Sequence, residues 1–220
     1  MAECTEGPKS GSTSAAVVVA HPDDEILWCG GLILAHPDWD WFIGTLCRGS
    51  DKDRASRFQA ALRRVRATGA MQDLDDGPEQ EPLPHEVVQE AVLAILPDRH
   101  IDLLLTHGPR GEYTRHRRHE ETCKGVVNLW RAGRIALKEL WLFAYEDGGQ
   151  QYLPRPRADA HRTDVLPLEI WLAKRRILTD VYGFSPESWE ARCAPTTEAF
   201  YRFTSPEGTQ EWIRRQGSEA

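Results

Sequence analysis

The stretch that most constrains this chain is Ala16–Gly31. It begins with an unbroken apolar run in which Val17, Val18 and Val19 are consecutive and β-branched. Such a run suits a strand buried on both faces, as in a parallel sheet covered by helices. The run ends at His21-Pro22-Asp23-Asp24-Glu25, one imidazole and three carboxylates in five residues. Pro22 limits His21 to an extended conformation and fixes where the strand stops. The following Ile26–Ala35 reads as a helix, with Gly30-Gly31 allowing close approach of a neighbour. A strand that ends in a polar cluster delivers it to the carboxyl edge of the sheet, where open α/β proteins bind ligands.

Adjacent carboxylates repel one another unless a cation sits among them. His21 and Asp24, three apart across a tight turn, can reach one divalent ion, leaving Asp23 near a water on that ion. Zinc suits a mixed nitrogen and oxygen set with an open position. The competing reading is that the acids cap a helix, since carboxylates are favoured in a first turn. Gly111-Glu112-Tyr113-Thr114-Arg115-His116-Arg117-Arg118-His119-Glu120 weighs towards metal. It follows a second apolar run, Ile101–Leu105, and presents His116 and His119 to one side of a helix or turn. One imidazole pair then offers a third ligand and a further polar group.

The rest of the chain alternates strand and helix patterns. Strands are expected at Trp39–Leu46, Met71–Leu74, Ile101–Thr106, Leu140–Tyr145 and Asp164–Leu166, with Glu198–Phe203 as a closing edge strand. Helices are expected at Arg54–Thr68, Pro84–Leu96, Arg118–Trp130, Pro167–Thr179 and Gln210–Arg215. The pattern predicts a single α/β domain over 15–220, Rossmann-like, with a mostly parallel sheet and helices on both faces. Residues 1–14 read as a disordered polar leader. The first loop lacks the Gly-x-Gly-x-x-Gly fingerprint, so no dinucleotide is expected.

A chain of 220 residues, 40% hydrophobic, can bury one substantial core. Its net charge of −7 argues against a nucleic-acid partner. No stretch approaches the ~20 apolar residues of a membrane span. The five cysteines, at 4, 29, 47, 123 and 193, form no close pair and no zinc-finger spacing. They point to buried, inert thiols in a reducing, cytoplasmic compartment. Association into a homo-oligomer stays open.

His21-Pro22-Asp23-Asp24-Glu25 after a buried strand, with His-x-x-His after Gly-Glu-Tyr downstream, resembles the PIG-L/LmbE-like zinc-dependent de-N-acetylases. The resemblance runs from about Ala15 to Tyr182. It implies that His21, Asp24 and His119 bind Zn2+ or another divalent ion, and that Asp23 is the general base. It implies that His116 assists the oxyanion or the leaving amine. It further implies that an Arg near the second helix start contacts the sugar or its phosphate. Arg48, Arg54 and Arg57 are candidates, with Arg57 the best aligned. Tyr113 and Lys174 complete the expected substrate contacts, Lys174 through a late Lys…Tyr pattern with Tyr182. The family often carries Asp just before the last His; here that position is Arg118, and Glu120 or Glu121 is the expected substitute.

The expected reaction is hydrolysis of an N-acetyl group from a small-molecule N-acetylglucosamine-type conjugate. Two alternatives stand beside it. One is amidase action on a thiol-sugar conjugate. The other is a metal-stabilised binding protein without turnover, in which Arg118 marks loss of the catalytic set.

Overall fold

Val17, Val18 and Val19 are wholly buried at the centre of the molecule. They belong to β1 (Ser14–Val19), which pairs in parallel with β2 (Asp40–Cys47) on one side and β4 (Ile101–Thr106) on the other. The computed structural model describes residues 12–113 and 115–218. Of the leader expected at residues 1–14, residues 1–11 therefore lie outside the described residues. Ser14 is already part of the sheet, pairing with Asp40.

Between these strands run α1 (Asp24–Ala35), α2 (Lys52–Val65), β3 (Thr68–Leu74) and α3 (His85–Ile95). After β4 come α4 (Arg117–Arg131), β5 (Leu137–Phe143) and a two-stranded ribbon of β6 (Tyr145–Glu146) and β7 (Arg155–Pro156). The chain closes through β8 (Arg162–Val165), α5 (Leu168–Arg176), a π-helical turn at Ile177–Val181, α6 (Trp189–Cys193), β9 (Thr197–Phe203) and α7 (Pro206–Ser218).

The seven-stranded sheet has the order β3-β2-β1-β4-β5-β9-β8. β1 to β5 are parallel, and β9 runs antiparallel to β5 and β8. Helices α1 and α5 pack together, as do α3 with α4 and α4 with α7, giving a layer on each face. The expected mostly parallel, Rossmann-like α/β sheet is therefore observed. The chain order reverses at β1, so a crevice opens beyond the carboxyl ends of β1 and β4, where such sheets bind ligands.

Two expectations need correction. β9 is not the edge strand, because Ala199 and Phe200 are fully buried between β5 and β8; β8 takes the edge with alternating exposure. The second helix stops at Val65 rather than Thr68. Arg66 turns left-handed at φ 56°, and Thr68 already opens β3. Its start is fixed by Asp51, whose carboxylate accepts the N–H groups of Asp53 and Arg54 at 3.1 Å.

Gly31 makes the close approach that Gly30-Gly31 suggested: a Cβ there would collide with Leu166 and with the Glu198 carboxylate. α1 is kinked at Cys29 (φ −140°), which leaves the N–H groups of Gly31 and Leu32 unpaired within the helix. Glu198 accepts both, at 2.7 Å each, and also receives Lys174 Nζ at 2.7 Å. Cys29, Cys47, Cys123 and Cys193 are buried free thiols. Burial pushes Cys47 up to about 12 and Cys29 well above its ordinary value. Among the described residues, no helix is long and apolar enough to cross a membrane.

Candidate active site

The turn between β1 and α1 is built around Asp23, which adopts φ 119°, a conformation rare outside glycine. Strain of this kind costs roughly 1–3 kcal/mol and persists only where surroundings impose it. Here Asp23 donates its backbone N–H to Glu25 Oε2 at 2.9 Å, and Tyr182 donates its hydroxyl to Glu25 Oε1 at 2.5 Å. Asp23 stands at the helix N-cap, yet its side chain makes no capping hydrogen bond. The capping reading thus fails for this carboxylate, which instead lines a cavity with Arg54 Nη1 3.4 Å away. Burial, and then the neighbouring charge of Asp24, hold its carboxyl well above the usual carboxylate range.

Three atoms converge beside it. His21 Nδ1 lies 3.1 Å from Asp24 Oδ2, and His119 Nε2 lies 3.3 Å from each of them. A tetrahedral ion with ligands at ~2.0–2.1 Å spaces them by about 3.3 Å, so the triangle matches the edge of such a site. Its donor set, two imidazoles and one carboxylate, suits zinc or a similar divalent ion. His21, Asp24 and His119, expected together from distant parts of the sequence, are brought together.

Glu112 completes the arrangement from below, a role that its neighbours in sequence do not disclose. Its Oε2 accepts Nδ1–H from both His119 (2.6 Å) and His107 (2.9 Å), while Oε1 accepts Gly108 N–H at 2.8 Å. With its proton on Nδ1, His119 turns an unprotonated Nε2 to the triangle, the hallmark of a ligand imidazole backed by a carboxylate. His107 receives the Ala20 N–H on Nε2 at 2.9 Å, so it serves as a brace between β1, β4 and Glu112. Burial opposes ionisation of Glu112, but the two imidazoles hold it at about 2. The only sequence signal was its place in Gly-Glu-Tyr, between a strand end and the His pair.

His116 stacks on His119 with ring centroids 4.3 Å apart and lines the cavity. Burial, then the adjacent His119 and His21, push it down to about 3, so the ring is neutral. Neither Glu120 nor Glu121 orients it: Glu120 pairs with Arg115, and Glu121 with Arg118 and the Leu83 N–H. The polar neighbour of His116 is Gln80, whose Nε2 lies 3.3 Å from His116 Nε2 and 3.2 Å from Asp76 Oδ1. Asp76 in turn sits 3.2 Å from His21 Nε2 without hydrogen-bond alignment, and Arg48 pairs with it at 2.7 Å.

Arg118, the departure from the expected Asp, is buried and spans the loop that carries these two residues. It donates to Asp75 O (2.5 Å), Glu81 O (2.9 Å) and Glu121 Oε2 (2.5 Å). A planar five-donor guanidinium can hold several acceptors at once in this way. Arg118 therefore fastens both ends of the segment 75–81 against α4, with Asp76 and Gln80 between them.

The cavity above this floor measures about 750 Å³. Tyr113 stands in its wall, against Trp189 of α6 at 4.6 Å, edge to face. Arg48 and Arg54 line it too. Arg57 does not: its guanidinium donates to the Tyr182 carbonyl (2.5 Å) and to Asp53 (2.7 Å), tying α2 to the π-helical turn. Lys174 is also away from the cavity, wholly buried in its pair with Glu198. Both side chains serve packing between elements, because a nearer acceptor satisfies each of them.

The sequence matches a family model, PIG-L, described as GlcNAc-PI de-N-acetylase, over residues 16–130. No curated protein matches it. Among solved structures, N,N'-diacetylchitobiose deacetylase from Pyrococcus horikoshii, complexed with its inhibitor, aligns with a TM-score of 0.65 at 14% identity. That alignment covers 90% of this chain and 86% of the other. The zinc-inhibited form of teicoplanin deacetylase Orf2 aligns at 0.61 and 14% identity, covering 87% and 99%. GalB, the 4-carboxy-2-hydroxymuconate hydratase from Pseudomonas putida KT2440, aligns at 0.55 and 14%, covering 86% and 95%. The likeness to these structures is one of fold, and that fold carries more than one chemistry.

Proposed function

Since the chain belongs to the PIG-L family, we propose that it is a divalent-metal hydrolase that removes an N-acetyl group from an N-acetylglucosamine-type sugar conjugate. The observation that carries this reading is the 3.1–3.3 Å triangle of His21 Nδ1, Asp24 Oδ2 and His119 Nε2 in the floor of a cavity that also exposes Asp23. Zinc held by these three side chains would act as a Lewis acid on the amide carbonyl and lower the pKa of water towards ~7.

Asp23 is the general base. It takes the proton of the attacking water as the new C–O bond forms, then returns it to the nitrogen as the C–N bond breaks, leaving acetate and the free amine. His116, neutral, donates a hydrogen bond to the carbonyl oxygen as charge develops there. One well-aimed donor of this kind is worth ~3 kcal/mol. Tyr113 and Arg54 offer the sugar its wall contacts. Arg57 and Lys174 have no part in this reading, because neither reaches the cavity.

The test is acetate release from N-acetylglucosamine conjugates, with and without chelator, by purified protein of measured metal content. Asp23→Asn should keep its metal and lose about 10²–10⁴ in turnover, the usual worth of a positioned base. Equal turnover with and without metal, or a fully active Asp23→Asn, would overturn the assignment. Release of a larger acid in place of acetate would select the thiol-sugar amidase.

A further inference from the structure

Three imidazoles, those of His21, His116 and His119, offer nitrogen atoms within 4.8 Å of one another. Geometry alone does not say which of them bind an ion. The polar group facing each ring's other nitrogen does, because a ring nitrogen can bind metal only when it carries no proton. His119 gives its second N–H to an acceptor, Glu112. The second nitrogen of His21 has an acceptor carboxylate beside it, Asp76 at 3.2 Å, though not in hydrogen-bond alignment. His116 differs, since what faces its Nε2 is the side-chain amide of Gln80.

The orientation of that amide is set independently. Gln80 Nε2 also reaches Asp76 Oδ1 at 3.2 Å, and Asp76, paired with Arg48, is a carboxylate that only accepts. The two hydrogens of one NH2 group therefore go to Asp76 and to His116. An imidazole that accepts on Nε2 must, when neutral, carry its proton on Nδ1. His116 Nδ1 is buried and has no hydrogen-bond partner among the described residues.

We propose that Gln80 is the positioning residue of His116: by donating to Nε2 it fixes the proton on Nδ1, which bars His116 from the metal and leaves an N–H to give to the reacting carbonyl oxygen. Arg118 makes this reach possible by fastening the loop on both sides of Gln80, at Asp75 and Glu81. A donor arriving from the β3–α3 loop thus orients His116 in place of the acid expected beside the last histidine, but with the opposite sense: an acid would hold the ring proton on the nitrogen facing it, whereas Gln80 leaves it on the far nitrogen. The role of the N–H rests on the deacetylase reading; the tautomer does not.

The experiment is long-range nitrogen–proton NMR of the histidine rings in zinc-loaded protein, wild type and Gln80→Leu, alongside steady-state kinetics of acetate release. In the wild type His116 should show its proton on Nδ1. In Gln80→Leu it should move to Nε2, while His107 and His119 keep theirs on Nδ1 and so report an intact fold. Turnover should fall on the order of ten- to hundredfold, with KM and zinc content unchanged. A wild-type His116 protonated on Nε2, or a Gln80→Leu spectrum identical to wild type, would overturn the proposal. A wild type that releases no acetate but shows the tautomer switch would instead count against the deacetylase reading and leave the positioning role standing.

Discussion

Glu25 accepts the backbone N–H of Asp23 at 2.9 Å, two residues back along its own chain. The carboxylate that supports the strained turn is itself held by the hydroxyl of Tyr182, which arrives from 157 residues away. Its burial pushes Glu25 up to about 7. The Tyr182 hydroxyl is thus the remote end of a short chain that ends at the Asp23 backbone. Tyr182→Phe keeps the ring and removes that end. Above about pH 7 the Glu25 carboxyl is ionised, and a hydrogen bond to a charged group is worth about 2 kcal/mol. The variant should unfold at correspondingly lower urea and lose turnover while retaining its metal. An unchanged urea midpoint would show that Glu25 needs no such support.

Metal should stabilise the fold as well as serve the site. The triangle of His21, Asp24 and His119 joins the end of β1 to the start of α4, and these elements meet only in the folded chain. An ion at a hundred times its dissociation constant adds about 2.7 kcal/mol. For a domain of this size that is roughly 5–10 °C in Tm. Chelator should lower the melting temperature of the wild type by this order and should leave Asp24→Asn unmoved. Calorimetry with and without chelator reads both. A wild type indifferent to chelator would dissociate the triangle from any bound ion.

Glu112 can be tested without touching a ligand. Its carboxylate accepts from His107 and His119 on one oxygen and from Gly108 on the other. Glu112→Gln preserves volume, but an amide presents one acceptor and one donor where three N–H groups converge. One of those groups must lose its partner or its ring must turn. Zinc affinity should fall about 10- to 100-fold, as for other residues behind a ligand imidazole. Competition against a chromogenic chelator measures this. Unaltered affinity would mean that His119 is oriented by packing alone.

The parts of this molecule that were legible in the sequence are those written locally. The valine run of β1, the heptad-like stripe Phe58, Ala61, Leu62 and Val65 of α2, and the acid cluster after Pro22 each declare themselves within a few residues. The convergence of His21, Asp24 and His119 was legible because both halves carry spacing that a turn or helix start can present. Arg57 was preferred to Arg54 although both lie near the start of α2, and it is Arg54 that lines the cavity. Only the arrival of the Tyr182 carbonyl decides that Arg57 turns away. Glu112, Gln80 and Arg118 were missed in their roles for the same reason: each acts on a partner brought by another element. The α6 helix that brings Trp189 to the cavity is five residues long, too short to show periodicity.

Lys174 poses the sharpest contrast between expectation and fold. It was expected at the substrate, yet Nζ is buried against Glu198 Oε1 at 2.7 Å, and both side chains are 0% exposed. Glu198 meanwhile satisfies the two N–H groups left open by the kink in α1, at Gly31 and Leu32. The negative charge therefore has a structural task, and the lysine neutralises it. Lys174→Met should cost about 3–5 kcal/mol, the usual penalty for stranding one member of a buried pair. Adding Glu198→Gln should recover part of that loss, since the amide oxygen still accepts an N–H and no charge remains. Denaturant titration of the single and double variants measures the difference. Where the single variant is folded, KM for an N-acetyl sugar should match wild type, because Lys174 does not line the cavity. A raised KM at full stability would return Lys174 to the substrate.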